Sequence, residues 1–159
     1  MTLQIRPATL ADAARLSAIV LAHQAVLTLD PSGAGAEAFL ERVSPAAIAA
    51  NLASDRYLHI VAEMAGEVIG FAALRDTQHL FHLFVAPGHQ GQGVGRRLWQ
   101  QLQGQAQAQG HHGAFTVNAS PGSVAVYLRL GFATTGLRQE MHGIAYIPMR
   151  LEPPGYGPG

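Results

Sequence analysis

The sequence predicts a mixed α/β (α+β) fold, with helices between strands in the middle of the chain and hairpins at both ends. Three observations carry this. The stretch His79–Arg97 runs from an apolar, aromatic strand through a glycine-rich turn into a helix whose Val94, Leu98 and Leu102 recur every four residues. Segments that alternate, such as Phe115, Val117 and Ala119, follow segments with helical periodicity. Short glycine turns, Met64-Ala-Gly66 and His142-Gly143, separate paired strand patterns near the ends.

Taken in order, Leu3, Ile5 and Pro7 alternate as a short first strand that stops at the proline. Thr9 suits a helix cap, with Asp12 three residues on in the place of a capping-box acid. Helical spacing then runs from Leu10 to about Leu29 and is broken by Asp30-Pro-Ser-Gly. Ala36 to Arg42 and Ala46 to Ala53 are further helical pieces, with Pro45 at a first helical position. Tyr57–Glu63 and Glu67–Leu74 form a hairpin, and Asp76-Thr-Gln turns into the central strand. The helix opening at Gly93 reaches about Ala108; Phe115–Ala119 is a strand, Ser123–Leu130 a helix ended by Gly131. Ala133–Met141 and Ile144–Leu151 are the last two strands. Residues 1–152 are expected to be one domain, since about 150 residues bury roughly two-thirds of their unfolded surface. The tail, 153–159, is too rich in proline and glycine to order unaided.

Pro87 and Gly88 end the central strand, and glycines at 91, 93 and 95 precede the helix. A strand, a glycine turn and a helix N-terminus make an anion site, because the first N–H groups of a helix have no internal partner and the dipole adds about half a positive charge. Arg96 and Arg97 sit in that first turn, where the dipole alone favours acids, and a bound anion would offset the cost. A mononucleotide P-loop needs Lys, and this chain has none. A dinucleotide fingerprint fails because the position of its third glycine is Arg96. Gln-x-x-Gly-x-Gly fits, as Gln90, Gly93 and Gly95.

Composition narrows the partners. Ten acids balance ten arginines, so no general affinity for nucleic acid is expected. Between Asp76 and Glu140 there is no acid, while Arg96, Arg97, Arg129 and Arg138 lie inside that window. The centre of the chain is therefore biased towards a polyanion. No apolar run approaches 18 residues and the N-terminus has no leader pattern, so no membrane span and a cytoplasmic location are expected. There are no cysteines, hence no disulfides or thiolate metal sites.

The segment Asn118–Phe132 reads Asn-Ala-Ser-Pro-Gly-Ser-Val-Ala-Val-Tyr-Leu-Arg-Leu-Gly-Phe. Together with Gln90-x-x-Gly93-x-Gly95 about thirty residues upstream, it resembles the GCN5-related N-acetyltransferase (GNAT) superfamily. Tyr127, Gly131 and Phe132 sit at that family's separations and Ala125 is slightly displaced; the specific likeness covers His79–Phe132. The resemblance implies a mixed, mostly antiparallel sheet of about seven strands, splayed between the fourth and fifth, with a bulge near Val85. It implies acetyl-coenzyme A as co-substrate, with no metal. Its expected binding residues are Phe84, Val85, Gln90, Gly91, Gln92, Gly93, Val94, Gly95, Arg96, Asn118, Ser123 and Tyr127.

The reaction so implied is attack of a primary amine on the thioester, with Tyr127 protonating the departing thiolate and the Val85 amide as oxyanion donor. The base is open. His79 lies eleven residues before Gln90 and His82 eight before; where other members carry a carboxylate, this chain has Phe81. His79 and Phe81 should share a face, with His82 on the other unless a bulge intervenes. Glu140 and water are the remaining candidates. The missing carboxylate keeps a non-catalytic acyl-coenzyme A sensor as the alternative. A metal site built from His79, His82, His89, His111 and His112 is disfavoured, because these fall on opposite faces and separate elements. The acceptor is a small amine or a protein or peptide amine, and a second copy of the chain could pair through the C-terminal strands.

Overall fold

The computed structural model describes residues 2–153; of the expected tail, 154–159 lie outside the described residues. Eight strands form one sheet in the order β1 (Leu3–Pro7), β2 (Tyr57–Met64), β3 (Glu67–Arg75), β4 (His79–Val85), β5 (Phe115–Ala119), β8 (Ile144–Leu151) and β6 (Ala133–Thr134). The eighth, β7 (Gln139–Met141), pairs with β8. All pairings are antiparallel except β4 with β5. That parallel pair needs a crossover, which α5 (Val94–Ala108) supplies.

Each face of the sheet has its own apolar cluster. On one side α5 lays Val94, Leu98, Trp99, Leu102 and Ala106 against Ile60, Ala72 and Phe115, with the Trp99 ring edge-on to Phe115 at 5.0 Å. Each of the larger aliphatic and aromatic side chains so buried contributes about 1.5–3 kcal/mol. On the other side α1 (Ala13–Leu21) and α4 (Pro45–Leu52) bury Leu16, Ile19, Val20 and Ile48 against Val61 and Phe71. The capping signals act as expected. The Asp12 carboxylate accepts the Thr9 N–H at 2.8 Å, and Arg6 grips the same carboxylate at 3.0 and 3.1 Å, holding it below the usual range. Ser44 Oγ accepts the Ala47 N–H ahead of Pro45.

Three local expectations are corrected. The helix expected from Leu10 to Leu29 splits into a 3₁₀ turn, α1 and α2 (Gln24–Leu27), because His23 leaves helical geometry and donates its Nε2–H to the Val85 carbonyl at 2.8 Å. The strand expected over Ala133–Met141 becomes β6 and β7, raising the count to eight. Pro148 in β8 has no N–H to give the ladder there, and Gly136 crosses against its ring. The bulge lies at Phe81, not near Val85: Ala73 pairs with His82 but Leu74 with Leu80, leaving Phe81 as the extra residue.

That bulge brings His82 into register with Ala73, and Ala73 pairs in turn with His59 on β2. The two buried imidazoles flank a methyl group, and His59 Nε2 and His82 Nδ1 have no hydrogen-bond partner among the described residues. Burial pushes His59 down to about 4; burial, then the His59 charge, pushes His82 down to about 3.

Two expectations follow for stability. Gly143 has φ +76°, and a Cβ there would run into the Gly35 main chain, so Gly143→Ala should cost about 2 kcal/mol or more in urea unfolding. Gly104, open and mid-helix in α5, should gain about 0.5–1 kcal/mol on replacement by Ala; equal shifts for the two would contradict this geometry. Below pH 6.5 the unfolded chain protonates His59 and His82 while the folded chain resists. Stability should therefore fall as pH drops from 6.5 towards about 4 and about 3, on the order of 2 kcal/mol for each imidazole by pH 5. Matching urea midpoints at pH 7.5 and 5.0 would contradict that burial.

Candidate functional site

The parallel pairing of β4 with β5 covers only His79 with Thr116 and Leu80 with Val117. Past Leu80 the strands part. Main-chain groups of a strand alternate sides. Ala86 donates to the Ile69 carbonyl at 2.8 Å, and Phe84 and His82 pair with β3 in phase with it. The amides of Leu83 and Val85 therefore point into the gap that β5 has left. Two cavities open along this gap, one of about 500 Å³ against the glycine turn and one of about 310 Å³ beneath α3 (Glu37–Arg42) and the β7–β8 hairpin. Leu83, Ser123 and Tyr127 line both and form the wall between them.

The larger cavity is built by the glycine turn. Gly91 and Gly93 hold φ of +75° and +81°, which residues with a Cβ adopt only at a cost. Gly93 is the N-cap of α5 and offers no side chain to the first-turn N–H groups, and that turn contains no acid. Those donors, with the Arg96 and Arg129 guanidinium groups on the same wall, are arranged for anionic oxygens. Gln90, Gly91, Gly93, Val94, Gly95, Arg96, Ser123, Val85 and Tyr127 of the expected set line this cavity. Two do not. Gln92 is exposed and outside it. Phe84 turns its main chain to β3 and packs its ring on Phe71 at 5.9 Å, facing the smaller cavity. Leu83 occupies the place sequence reasoning gave to Phe84, because the strand alternates without a break from Val85 back to His82 and so turns Leu83, not Phe84, to the same side as Val85.

Tyr127 sits on α6 (Val124–Arg129) with its ring edge-on to Phe132 at 5.6 Å. It is 7% exposed. Burial pushes the phenol well above its ordinary value, so it is a protonated donor at neutral pH. The neighbouring Ser120 and Ser123 hydroxyls bond each other at 2.8 Å.

The smaller cavity collects His79, Phe81, His82 and Asn118. With the bulge, His79 and His82 reach the same space and are not on opposite faces. His79 Nδ1 is hydrogen-bonded to Thr116 Oγ1 at 2.8 Å, and burial, then the Arg75 charge, lowers its pKa. Glu140 lies elsewhere, in an exposed ion pair with Arg138, and lines neither cavity. Sequence reasoning missed Leu83, Arg42, Arg75 and Tyr146 on these walls, and His23 behind Val85. Only the helix break at His23 would have needed a local signal, and none exists in its neighbours. Among the described residues no group of three or more His, Asp or Glu could hold a metal ion, and no helix is long and apolar enough to cross a membrane.

This arrangement agrees with comparisons to known proteins. The family model for the acetyltransferase (GNAT) domain matches residues 27–153. A GCN5-related N-acetyltransferase from Rhodopseudomonas palustris superposes with a TM-score of 0.76 at 26% identity, covering 96% of each chain. The PaiA N-acetyltransferase of Thermoplasma acidophilum, solved with coenzyme A, gives 0.71 at 17% identity over 96% of this chain and 99% of that one. The structure of yncA from Salmonella typhimurium with its cofactor acetyl-CoA gives 0.69 at 23% identity, over 100% and 98%. No curated protein sequence matches significantly. With the model spanning most of its length, and the splayed sheet and glycine turn in place, the chain belongs to the GNAT acetyltransferase family.

Proposed function

We propose that the protein transfers the acetyl group of acetyl-coenzyme A to a primary amine by direct attack, with Tyr127 as the general acid. The observation that carries this is the shared wall: Leu83, Ser123 and Tyr127 border both the anion-binding cavity and the smaller one. A thioester whose diphosphate lies against the glycine turn, on Gly91, Gly93, Arg96 and Arg129, would present its acyl group at that wall. An amine in the smaller cavity would meet it there.

The amine lone pair attacks the carbonyl carbon, and charge builds on the carbonyl oxygen. A main-chain N–H is suited to receive it, fixed in place and poorly solvated. Leu83, at the junction, is better positioned for this than Val85, which borders only the glycine-turn cavity. The carbon–sulfur bond then breaks, and the thiolate takes the Tyr127 proton. The amine gives up its proton to His79, whose lowered pKa keeps it neutral and able to accept at pH 7, or to water. Asn118 and the Ser120–Ser123 pair flank the same junction and would position the thioester arm.

Tyr127→Phe should lower kcat on the order of a hundredfold while acetyl-coenzyme A affinity in calorimetry stays within about threefold; unchanged turnover across pH would remove the phenol from the chemistry. Gly93→Val should abolish calorimetric binding of coenzyme A, since the side chain points where the diphosphate would lie and the φ of +81° disfavours it. Wild-type affinity in that variant would contradict the glycine-turn assignment. Release of free thiol in an amine screen distinguishes the transferase from a sensor that only binds.

A further inference from the structure

The ten arginines divide into two groups. Arg6, Arg15, Arg56, Arg138 and Arg150 each pair with a carboxylate. Arg42, Arg75, Arg96, Arg97 and Arg129 have no acidic partner among the described residues. Of these five, Arg96 and Arg129 line the anion cavity and Arg42 and Arg75 line the smaller one. The smaller cavity has no Asp or Glu on its wall among the described residues. Arg42 is exposed and Arg75 half-buried, so both guanidinium groups stand open to a ligand, with no carboxylate on that wall to compete for them. In the larger cavity the proposed diphosphate would meet Arg96 and Arg129. The smaller cavity is lined for an anion of its own.

Arg75 is oriented for one. Its guanidinium lies over the Phe81 ring at 5.5 Å, close enough to His79 to depress that imidazole by its charge. The rest of the wall is apolar or aromatic, with Leu27, Phe39, Phe84 and Tyr146. His82 adds an unpartnered ring nitrogen on a buried side chain lining the same space. At about 310 Å³ the cavity is at the small end of the range for small-molecule sites.

We propose that the acceptor is a free α-amino acid with an apolar side chain, its carboxylate held by Arg75 and Arg42 and its amine turned to the Leu83–Tyr127 wall. This rests on the acetyltransferase assignment above and adds the substrate class. The same charges answer a chemical difficulty. A cavity with two guanidinium groups and no carboxylate disfavours an ammonium, so the bound amine loses its proton more readily than in water. The central strand can then manage without the acid that Phe81 displaces. A polyamine, or a lysine side chain carrying no nearby anion, would find only like charge there.

The test is calorimetric binding to the coenzyme A-saturated protein, and to the protein alone, of phenylalanine and methionine against phenethylamine and phenylalaninamide. The free amino acids should bind at least tenfold more tightly than either carboxylate-free amine. Arg75→Gln should erase that preference, Arg42→Gln should reduce it, and Arg75→Lys should restore part of it, with circular dichroism and melting checking that each variant folds. In turnover, Arg75→Gln should raise KM for the amino acid at least tenfold with kcat within about threefold. Equal or tighter binding of the carboxylate-free amines overturns the inference. So does no binding of either amino acid, or a preference that survives both glutamine variants. Loss of acetyl-coenzyme A binding in the wild type would instead strike the transferase assignment, and amino-acid binding to the protein alone would still decide this one.

Discussion

The parting of β4 from β5 is the constraint on which the rest depends. A buried strand edge leaves N–H and C=O groups that must find partners, and the amides of Leu83 and Val85 have none in β5. The protein supplies one remedy itself, since His23 caps the Val85 carbonyl. The other groups are left to whatever enters the gap. A molecule with amides of its own, lying along β4 as an added strand, would satisfy them. The gap stays open because its two sides are held by different things: β4 by β3 and the α5 cluster, β5 by β8 across five paired residues.

Electrostatics divide the gap into two halves with one sign. Both cavities carry unpaired arginines, and neither carries an acid among the described residues. In one half, helix N–H groups and glycine backbone face the cavity together with Arg96 and Arg129. In the other, Arg42 and Arg75 stand among aromatic rings with no backbone anion site beside them. The difference fits a large, fixed anionic co-substrate on one side and a small, singly charged one on the other. The proposed chemistry takes place at Tyr127, a buried side chain on the wall the two halves share, whose phenol holds its proton.

Much of this was legible in the residue order because it depends on short-range rules. Glycines at 91 and 93 followed by a four-residue apolar repeat favour a turn and then a helix, and the structure has both. Pro45 after Ser44, and Asp12 after Thr9, set helix starts within a few residues. The spacing from Gln90 to Tyr127 indicated the family, whose domain model spans residues 27–153.

What the order of residues could not determine was phase and partnership. One extra residue at Phe81 exchanges the faces of everything before it in β4, and a bulge leaves no local mark because it depends on how β3 pairs. The break at His23 exists only because Val85 arrives from more than sixty residues away. Which arginines are paired and which are free is likewise a matter of distance in space: Arg6 meets Glu63, while Arg75 makes no ion pair among the described residues and lies over the Phe81 ring. The sequence by itself determined the elements and the glycine turn, whose causes lie within a few residues. Only the tertiary structure decided which side chains share a cavity, because long-range strand register sets the direction of every side chain on a strand.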